Sequence, residues 1–327
     1  MIYVPNESVD PHFNLALEEY VLKEMDAERY ILLWQNSPSV IVGRFQNTLG
    51  EINLEYVTKH RINVVRRITG GGAVYHDLGN LNFTFIEPKT QDPVDLGAYS
   101  RRIARALQQM GLNVEVSGRN DVTIDGKKFS GNAQYIYRGR VLHHGTILYD
   151  SNLDNLEAAL NVKPDKMTSK GVKSVRQRVA NLIDYMPRRM SLAEFKTRLL
   201  EQLFDGEPIR VLDLSEDQIA AVRELVARKY GTWEWNYGES PDYNRKAVGR
   251  FSWGGIELYL KVNDGRIQSC KIYGDFFTNE NVSDLEAGLC GIQYDEEGVT
   301  AAYYALDVPR YFENMQLDEF LRLVLSQ

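Results

Sequence analysis

The sequence predicts an α+β protein built in two parts, and three observations carry that reading. Helical and strand periodicities are interspersed along residues 1–240. A polar stretch over 233–246, with Gly238, Ser240 and Pro241, then reads as a linker. Beyond it the pattern becomes one hairpin followed by helices. We therefore divide the chain into a larger domain over 1–240, a linker proper over 241–247 and a small α+β domain over 248–327. A chain of 327 residues is long enough for both.

Each element has its own cause. A short strand over 2–4 precedes Asp10-Pro11, an N-cap followed by proline at the first helical position. Phe13, Ala16, Leu17, Tyr20, Val21 and Met25 then recur at helical spacing and predict an amphipathic helix. Apolar runs over 31–35 and 40–43, separated by Ser37-Pro38, predict two buried strands in a hairpin. A helix over 53–60, strands over 63–67 and 82–86, a helix over 96–110 and a strand over 113–116 follow. Strands over 122–124 and 127–129 flank Asp125-Gly126, a strong hairpin signal. After a strand over 141–148 come helices over 153–160, 191–204 and 215–229, the last two joined by a strand over 208–212. In the C-terminal part, Asn263-Asp264-Gly265 joins strands over 256–262 and 266–273. Helices over 282–289, 299–306 and 317–325 complete it.

Composition narrows the classes. The chain is 43% hydrophobic and 25% charged, as in ordinary globular proteins, and its net charge of −7 disfavours general nucleic-acid affinity. Cys270 and Cys290 form neither a CxxC nor a disulfide framework, which suits a reducing compartment. The N-terminus lacks the charged start and apolar core of a signal peptide. No apolar run approaches the roughly 20 residues that span a bilayer. These features predict a cytoplasmic protein with no nucleic-acid and no membrane partner.

The chemically informative stretch is 66–85. Three consecutive glycines, Gly70, Gly71 and Gly72, lie between Arg66-Arg67 and an apolar strand. Glycine buries no side chain and costs backbone entropy, but its N–H groups can approach a phosphate or carboxylate closely. A Gly run is equally the mark of a tight turn. The Arg pair before it and His76-Asp77 after it favour an anion-binding loop. The spacing is neither a Walker loop nor a dinucleotide fingerprint.

Three further features follow. Lys128 sits in or beside a strand just before Ser130-Gly131, where the backbone can bend and aim an ammonium into a cleft. A solvated hairpin lysine is the other reading. His143 and His144 are adjacent in a strand, so they point to opposite faces and at most one faces a site. Residues 163–178 carry six Lys or Arg in sixteen positions, in an otherwise acidic chain. They read as a solvated connector or as a basic lid over an anionic ligand.

An anion loop, a strand lysine and a basic lid suit electrostatic chemistry on a carboxylate and a phosphoanhydride; acyl-adenylate formation is one such reaction. No GxSxG elbow or HExxH motif is present, and residues 1–250 contain no cysteine.

At this point a family resemblance becomes specific. RRITGGGAVYHDLGNLNFTF (66–85), NDVTIDGKKFSGNAQ (120–134), HHGTILYD (143–150) and PDKMTSKGVKSVRQRVANL (164–182) resemble, in order and spacing, the lipoate–protein ligases of the LplA type. The similarity covers residues 1–245, and the tail is similar to that family's accessory domain. The resemblance implies a mixed sheet with packed helices, a fold shared with biotin–protein ligases. It also implies that lipoate and ATP form lipoyl-AMP, which a lysine of a lipoyl domain then attacks.

By the same resemblance, Lys128 is the essential lysine, bridging the lipoyl carbonyl and the α-phosphate; Lys127 matches the KxSG pattern less well. ATP and the adenylate would be held by Arg67, Gly72, Ala73, Val74, Tyr75, Asn120, Asp121 and Lys128, with Asp121 near Mg²⁺. Lipoate would be held by Gly70, Gly71, Gly72, His76, His144, Gly145 and Lys128. Lys170, Gly171, Val172 and Arg176 would belong to the loop that closes over the adenylate. The implied partners are apo lipoyl domains of 2-oxoacid dehydrogenase complexes and the glycine-cleavage H protein, served by a monomer. Transferases of the same fold use a cysteine thioester, and Cys270 and Cys290 lie outside the catalytic part. The GRGRxGR-type loop of biotin–protein ligases is absent. A non-catalytic lipoate binder is the alternative from another class; intact Arg67 and Lys128 argue against it.

Overall fold

The structure, a computed structural model, describes residues 1–26, 28–90, 95–118, 121–161, 178–238, 243–313 and 315–325. Its contacts divide the chain into two compact units: Met1–Val42, Leu49–Ile68 and Ala73–Asn236 form one, and Gly43–Thr48, Thr69–Gly72 and Tyr237–Gln327 the other.

The first unit is built on an eight-stranded mixed sheet. Its strands are β1 (Ile2–Tyr3), β2 (Tyr30–Trp34), β6 (Asn80–Pro88), β7 (Val114–Ser117), β8 (Asp121–Ile124), β9 (Lys127–Tyr137), β10 (Arg140–Leu148) and β11 (Arg210–Val211). They lie in the order β11-β1-β2-β6-β10-β9-β8-β7; β1 runs parallel to β11 and β2, and the other pairs are antiparallel. β3 (Ser39–Val42), β4 (Asn63–Arg66) and β5 (Val74–His76) form a second sheet in the order β4-β3-β5. The sequence had shown no strand at β5, which is only three residues long.

β2 and β3 do not form the expected hairpin. Both are buried along their whole length, with no alternation to fix a shared exposed face. Their connection is drawn inward instead, with the Ser37 N–H bonded to the Val9 carbonyl and the Asn36 amide bonded to Asn14 and His76. The chain therefore crosses from one sheet to the other.

The first helix, α1 (Pro11–Glu24), begins as the sequence predicts: the Asp10 carboxylate accepts from the His12 N–H, with Pro11 at the first helical position. It is buried on nearly every face rather than one, because it packs against the sheet and also against the helix Glu216–Leu225. That helix continues into one turn of π-helix at Val226–Tyr230, with the Gly231 N–H bonded to the Val226 carbonyl. A short helix, Trp233–Asn236, ends the unit. Asn236 is buried, so the linker reading over 233–246 begins inside a folded element.

The second unit carries the antiparallel sheet β12 (Arg245–Phe251), β13 (Gly254–Asn263) and β14 (Arg266–Gly274), in that order. β12 starts within 241–247, so part of that predicted linker is strand. Ile256, Leu258 and Leu260 of β13 share a core with Leu285, Leu289, Val299 and Phe320 from the helices Val282–Leu289, Glu296–Ala305 and Leu317–Leu325. Phe45 joins this core and stacks on Phe276 with ring centroids 4.9 Å apart. No helix among the described residues is long and apolar enough to cross a membrane.

Candidate functional site

A central strand normally buries apolar residues on both faces, but β6 does not. Asn80, Asn82 and Thr84 are fully buried and alternate with Leu81, Phe83 and Phe85. Side chains two residues apart share a face, so these polar groups form a row. Opposite them on β10 stand Leu148, Thr146 and His144, and on β2 Trp34 faces Asn82.

The Asn80 amide Nδ2 donates to Asn82 Oδ1 at 2.9 Å, and Trp34 Nε1 donates to Thr84 Oγ1 at 2.9 Å. Asn80 Oδ1 and Asn82 Nδ2 then have no partner among the described residues. An unpaired buried amide costs about 1–3 kcal/mol. An acceptor and a donor left side by side on a buried strand can be satisfied by a bound polar group or an ordered water.

At the inner end of the row lies a charged cluster. Glu18 of α1 is buried and accepts from the Thr84 hydroxyl, and His144 Nδ1 lies 2.9 and 3.1 Å from its two carboxylate oxygens. Arg67 is also buried, and one of its NH1 protons goes to the Ile41 carbonyl at 3.1 Å. Burial brings the Arg67 guanidinium down to about 10, while the Glu18 charge opposes that shift.

The His76 ring is buried too, and its pKa falls to about 3 through burial, with Arg67 and His144 adding to it. A chain of amides sets its tautomer. Asn14 Nδ2 donates to Asn36 Oδ1 at 2.8 Å, which leaves Asn36 Nδ2 to donate to His76 Nδ1 at 3.0 Å. The His76 proton is therefore on Nε2, which has no partner among the described residues. Arg67, His76 and His144, named from the sequence, thus share one polar cluster with Glu18 in the first unit.

Lys128 owes its aim to an irregular ladder. Val122 pairs with Ser130 but Thr123 pairs with Lys128, so Phe129 is an extra residue in β9. Such a bulge re-aims neighbouring side chains: Phe129 is fully buried, whereas the Lys128 side chain is 43% exposed. Its ammonium lies 2.7 Å from the Asp121 carboxylate. A Cβ on Gly131 would lie 3.1 Å from Lys128 Cε and Nζ, so the glycine makes room for the lysine stem. The Lys128 carbonyl in turn accepts from the Ala180 N–H at 3.0 Å. A cavity of about 690 Å³ is lined by Lys127, the weaker lysine candidate, with Asn152, Asp154, Asn181, Asp184 and Tyr185 among others, and Lys128 is not part of its lining.

The other expected residues fall as follows. Val74 and Tyr75 pair with Ile41 and Val40 in the second sheet, Tyr75 buried and Val74 half-buried, with Ala73 half-buried just before them. Gly145 has a packing reason: a Cβ there would meet Asn132 Oδ1 and a Phe83 ring carbon, each at 2.4 Å, on the face away from His144. Arg66 does not pair with Arg67 in facing an anion, because neighbours in a strand point apart. Its Nε donates to the Trp235 carbonyl and its NH2 to the Asn236 carbonyl.

The glycine triplet belongs to the second unit, with Gly72 half-buried. There the Gly71 N–H donates to the Phe276 carbonyl at 3.4 Å, and a Cβ on Gly70 would fall 2.3 Å from the same oxygen. The close backbone approach seen here is to a protein carbonyl, which accepts from the Gly71 N–H. Asn120, Lys170, Gly171, Val172 and Arg176 lie outside the described residues.

Sequence reasoning missed Glu18, Trp34, Asn80, Asn82 and Thr84. The available signals were Asn14 and Glu18, four apart among Phe13, Leu15, Ala16 and Leu17 on one helix, and the strict polar–apolar alternation of NLNFTF in a buried strand.

The first unit thus carries a buried polar row ending in a charged cluster and, separately, a lysine re-aimed by a bulge. The Lipoyl protein ligase A/B catalytic domain profile matches residues 10–204, and the Bacterial lipoate protein ligase C-terminus profile matches 240–324. The lipoate-protein ligase LplJ of Bacillus subtilis is 42% identical over 99% of this chain and 100% of its own length. Lipoate–protein ligase 1 of Staphylococcus aureus is 41% identical over 99% and 100%. Among solved structures, P. falciparum LipL1 in complex with lipoate superposes with a TM-score of 0.81 at 25% identity, covering 100% of this chain and 99% of that one. Lipoate-protein ligase A bound with ATP gives a TM-score of 0.60 at 30% identity, over 73% of this chain and 97% of that one. The chain belongs to the lipoate–protein ligase family.

Proposed function

We propose that this enzyme activates free lipoate with ATP and transfers the lipoyl group to a lysine of apo lipoyl domains. In the first step a lipoate carboxylate oxygen bonds to the α-phosphorus and pyrophosphate leaves. In the second, a partner lysine amine bonds to the lipoyl carbonyl, loses a proton and expels AMP. The observation that carries the reading is Lys128: an accessible ammonium, turned out of its strand by a bulge and held by Asp121, in a family whose solved members include lipoate and ATP complexes. An ammonium so placed stabilises the oxygens that bridge acyl and phosphoryl groups.

Arg67, Ala73, Val74, Tyr75, Asn120 and Asp121 complete the nucleotide site in this reading. His76 and His144 of the first unit face lipoate in this reading, and the expected adenylate loop with Lys170, Gly171, Val172 and Arg176 lies outside the described residues. Among the described residues no group of three or more His, Cys, Asp or Glu is placed to hold a metal. A single carboxylate nevertheless suits Mg²⁺, which is held largely by phosphates and water. Asp121, one-third exposed, fits that role, and Mg²⁺ so held would neutralise phosphate charge.

The acceptors in this reading are lipoyl domains of 2-oxoacid dehydrogenase complexes and the glycine-cleavage H protein, met by a cytoplasmic monomer. Structural work on an archaeal lipoylation system from Thermoplasma acidophilum describes a bi-partite lipoate protein ligase and its E2 lipoyl domain. The division into a catalytic domain over 1–240 and an accessory domain over 248–327 is supported by the profile limits at 204 and 240. A thioester route is disfavoured because both cysteines lie in the second unit and burial pushes the Cys270 thiol pKa up.

The test is the intact mass of an apo lipoyl domain after incubation with the enzyme, lipoate and MgATP. A lipoyl mass gain that requires ATP is expected. Transfer only from an acylated carrier protein, without ATP, would overturn the reading.

A further inference from the structure

β4 is an edge strand, and the Arg67 N–H bonds inward to the Val42 carbonyl at 3.0 Å. The Arg66 N–H and carbonyl therefore point outward, where an edge leaves backbone groups unpaired. Two consecutive residues far along the chain satisfy them: Asn236 Oδ1 accepts from the Arg66 N–H at 2.9 Å, and Trp235 Nε1 donates to the Arg66 carbonyl at 2.8 Å. The Arg66 guanidinium adds bonds of 2.8 and 3.3 Å to the Trp235 and Asn236 carbonyls.

The clasp is itself anchored. Asn236 Nδ2 donates to the Tyr230 and Thr232 carbonyls at 2.7 and 2.9 Å. Just upstream, the Tyr230 hydroxyl and Lys229 Nζ both donate to Glu19 Oε2, at 2.6 and 2.7 Å. Glu19 neighbours Glu18 on α1, and Glu18 faces the cluster that contains Arg67. Residues 229–236 thus grip both elements that deliver charge to that cluster: α1 through Glu19, and β4 through Arg66. They lie outside the span matched by the catalytic profile.

We infer that Trp235 and Asn236 are positioning residues for lipoate activation, acting through Arg66 to hold Arg67 in register. The inference rests on the proposed function, in which Arg67 serves the adenylation site. The effect is read in lipoate-dependent ATP–pyrophosphate exchange on the full-length chain. Trp235→Phe removes the indole N–H together with part of the ring that packs on Lys229 and Tyr230, and Asn236→Ala removes the amide. Each should raise the KM for lipoate about tenfold, since small displacements of a binding group are amplified in rate.

Asn236→Asp separates holding the strand from holding the fold. It keeps an acceptor for the Arg66 N–H but loses the donor to Tyr230 and Thr232, so it should melt at a lower temperature yet keep the KM within about threefold of wild type. Lower melting temperatures with an unchanged KM in Trp235→Phe and Asn236→Ala would overturn the inference and reduce the clasp to a stability device. Absence of exchange in the wild-type enzyme would instead overturn the reaction on which it rests.

Discussion

The Lys128 ammonium sits 2.7 Å from the Asp121 carboxylate across the irregular end of the β8–β9 hairpin. With both side chains partly exposed, the pair contributes only about 0–1 kcal/mol to folding. Lys128→Ala should therefore leave the thermal midpoint nearly unchanged. It should lower lipoyl-AMP formation by about 100-fold or more, the range for loss of a transition-state donor. Lys128→Arg should rescue little, because a planar fork does not replace a compact ammonium. Near wild-type adenylate synthesis by Lys128→Ala would remove Lys128 from the chemistry.

His143 gives a pH prediction. It is buried, stacked on Tyr99 at 4.6 Å, with Nε2 3.2 Å from Asn132 Oδ1. Burial, with His144 adding, lowers its pKa from 6.5 to about 3. Below about pH 6.5 the unfolded chain takes up a proton there that the folded chain refuses. Its contribution is thus complete above that pH and lost as pH falls toward 3, at about 1.4 kcal/mol per pH unit. His143→Phe keeps the stacking and should flatten the decline by that slope, as measured by urea unfolding at several acidic pH values. Equal slopes in the two proteins would mean that folded His143 accepts its proton.

Gly145→Ala should destabilise the first unit by about 1–3 kcal/mol, the cost of overpacking a filled core. The new methyl would meet Asn132 Oδ1 and the Phe83 ring, and the backbone at 145 is held by β9 and β6 on either side. Urea titration measures this directly. A shift in midpoint too small to detect would show that Phe83 can move aside.

Glu18→Ala should cost about 3–5 kcal/mol, because it leaves buried Arg67 and His144 without their carboxylate. Glu18→Gln, which preserves shape and an acceptor, should cost less. Equal losses in the two variants would assign the effect to packing and not to charge.

Much of this was legible in local chemistry. Asp10-Pro11 started its helix, and Asp125-Gly126 made its turn with both residues at positive φ, 49° and 71°. Lys128 stood out because a small-residue bend followed it. What stayed hidden depended on partners remote in sequence. β2 and β3 read as a hairpin because nothing local says that Asn36 will be pulled inward by Asn14. β12 was lost in a polar stretch because only its pairing with β13 makes it a strand. Glu18 was passed over because a helical glutamate is ordinarily solvated, and its burial is set by strands β6 and β10.

The π-helical turn at Val226–Tyr230 has a consequence of angular phase. An α-helix advances about 100° per residue, and a π turn accommodates a residue more than an α turn does. Winding the same residues as an ordinary α-helix would swing everything after them by roughly that angle. Trp235 and Asn236 would then rotate off Arg66. The irregular turn sets the rotation at which the end of the first unit meets β4, and a more regular helix would miss it.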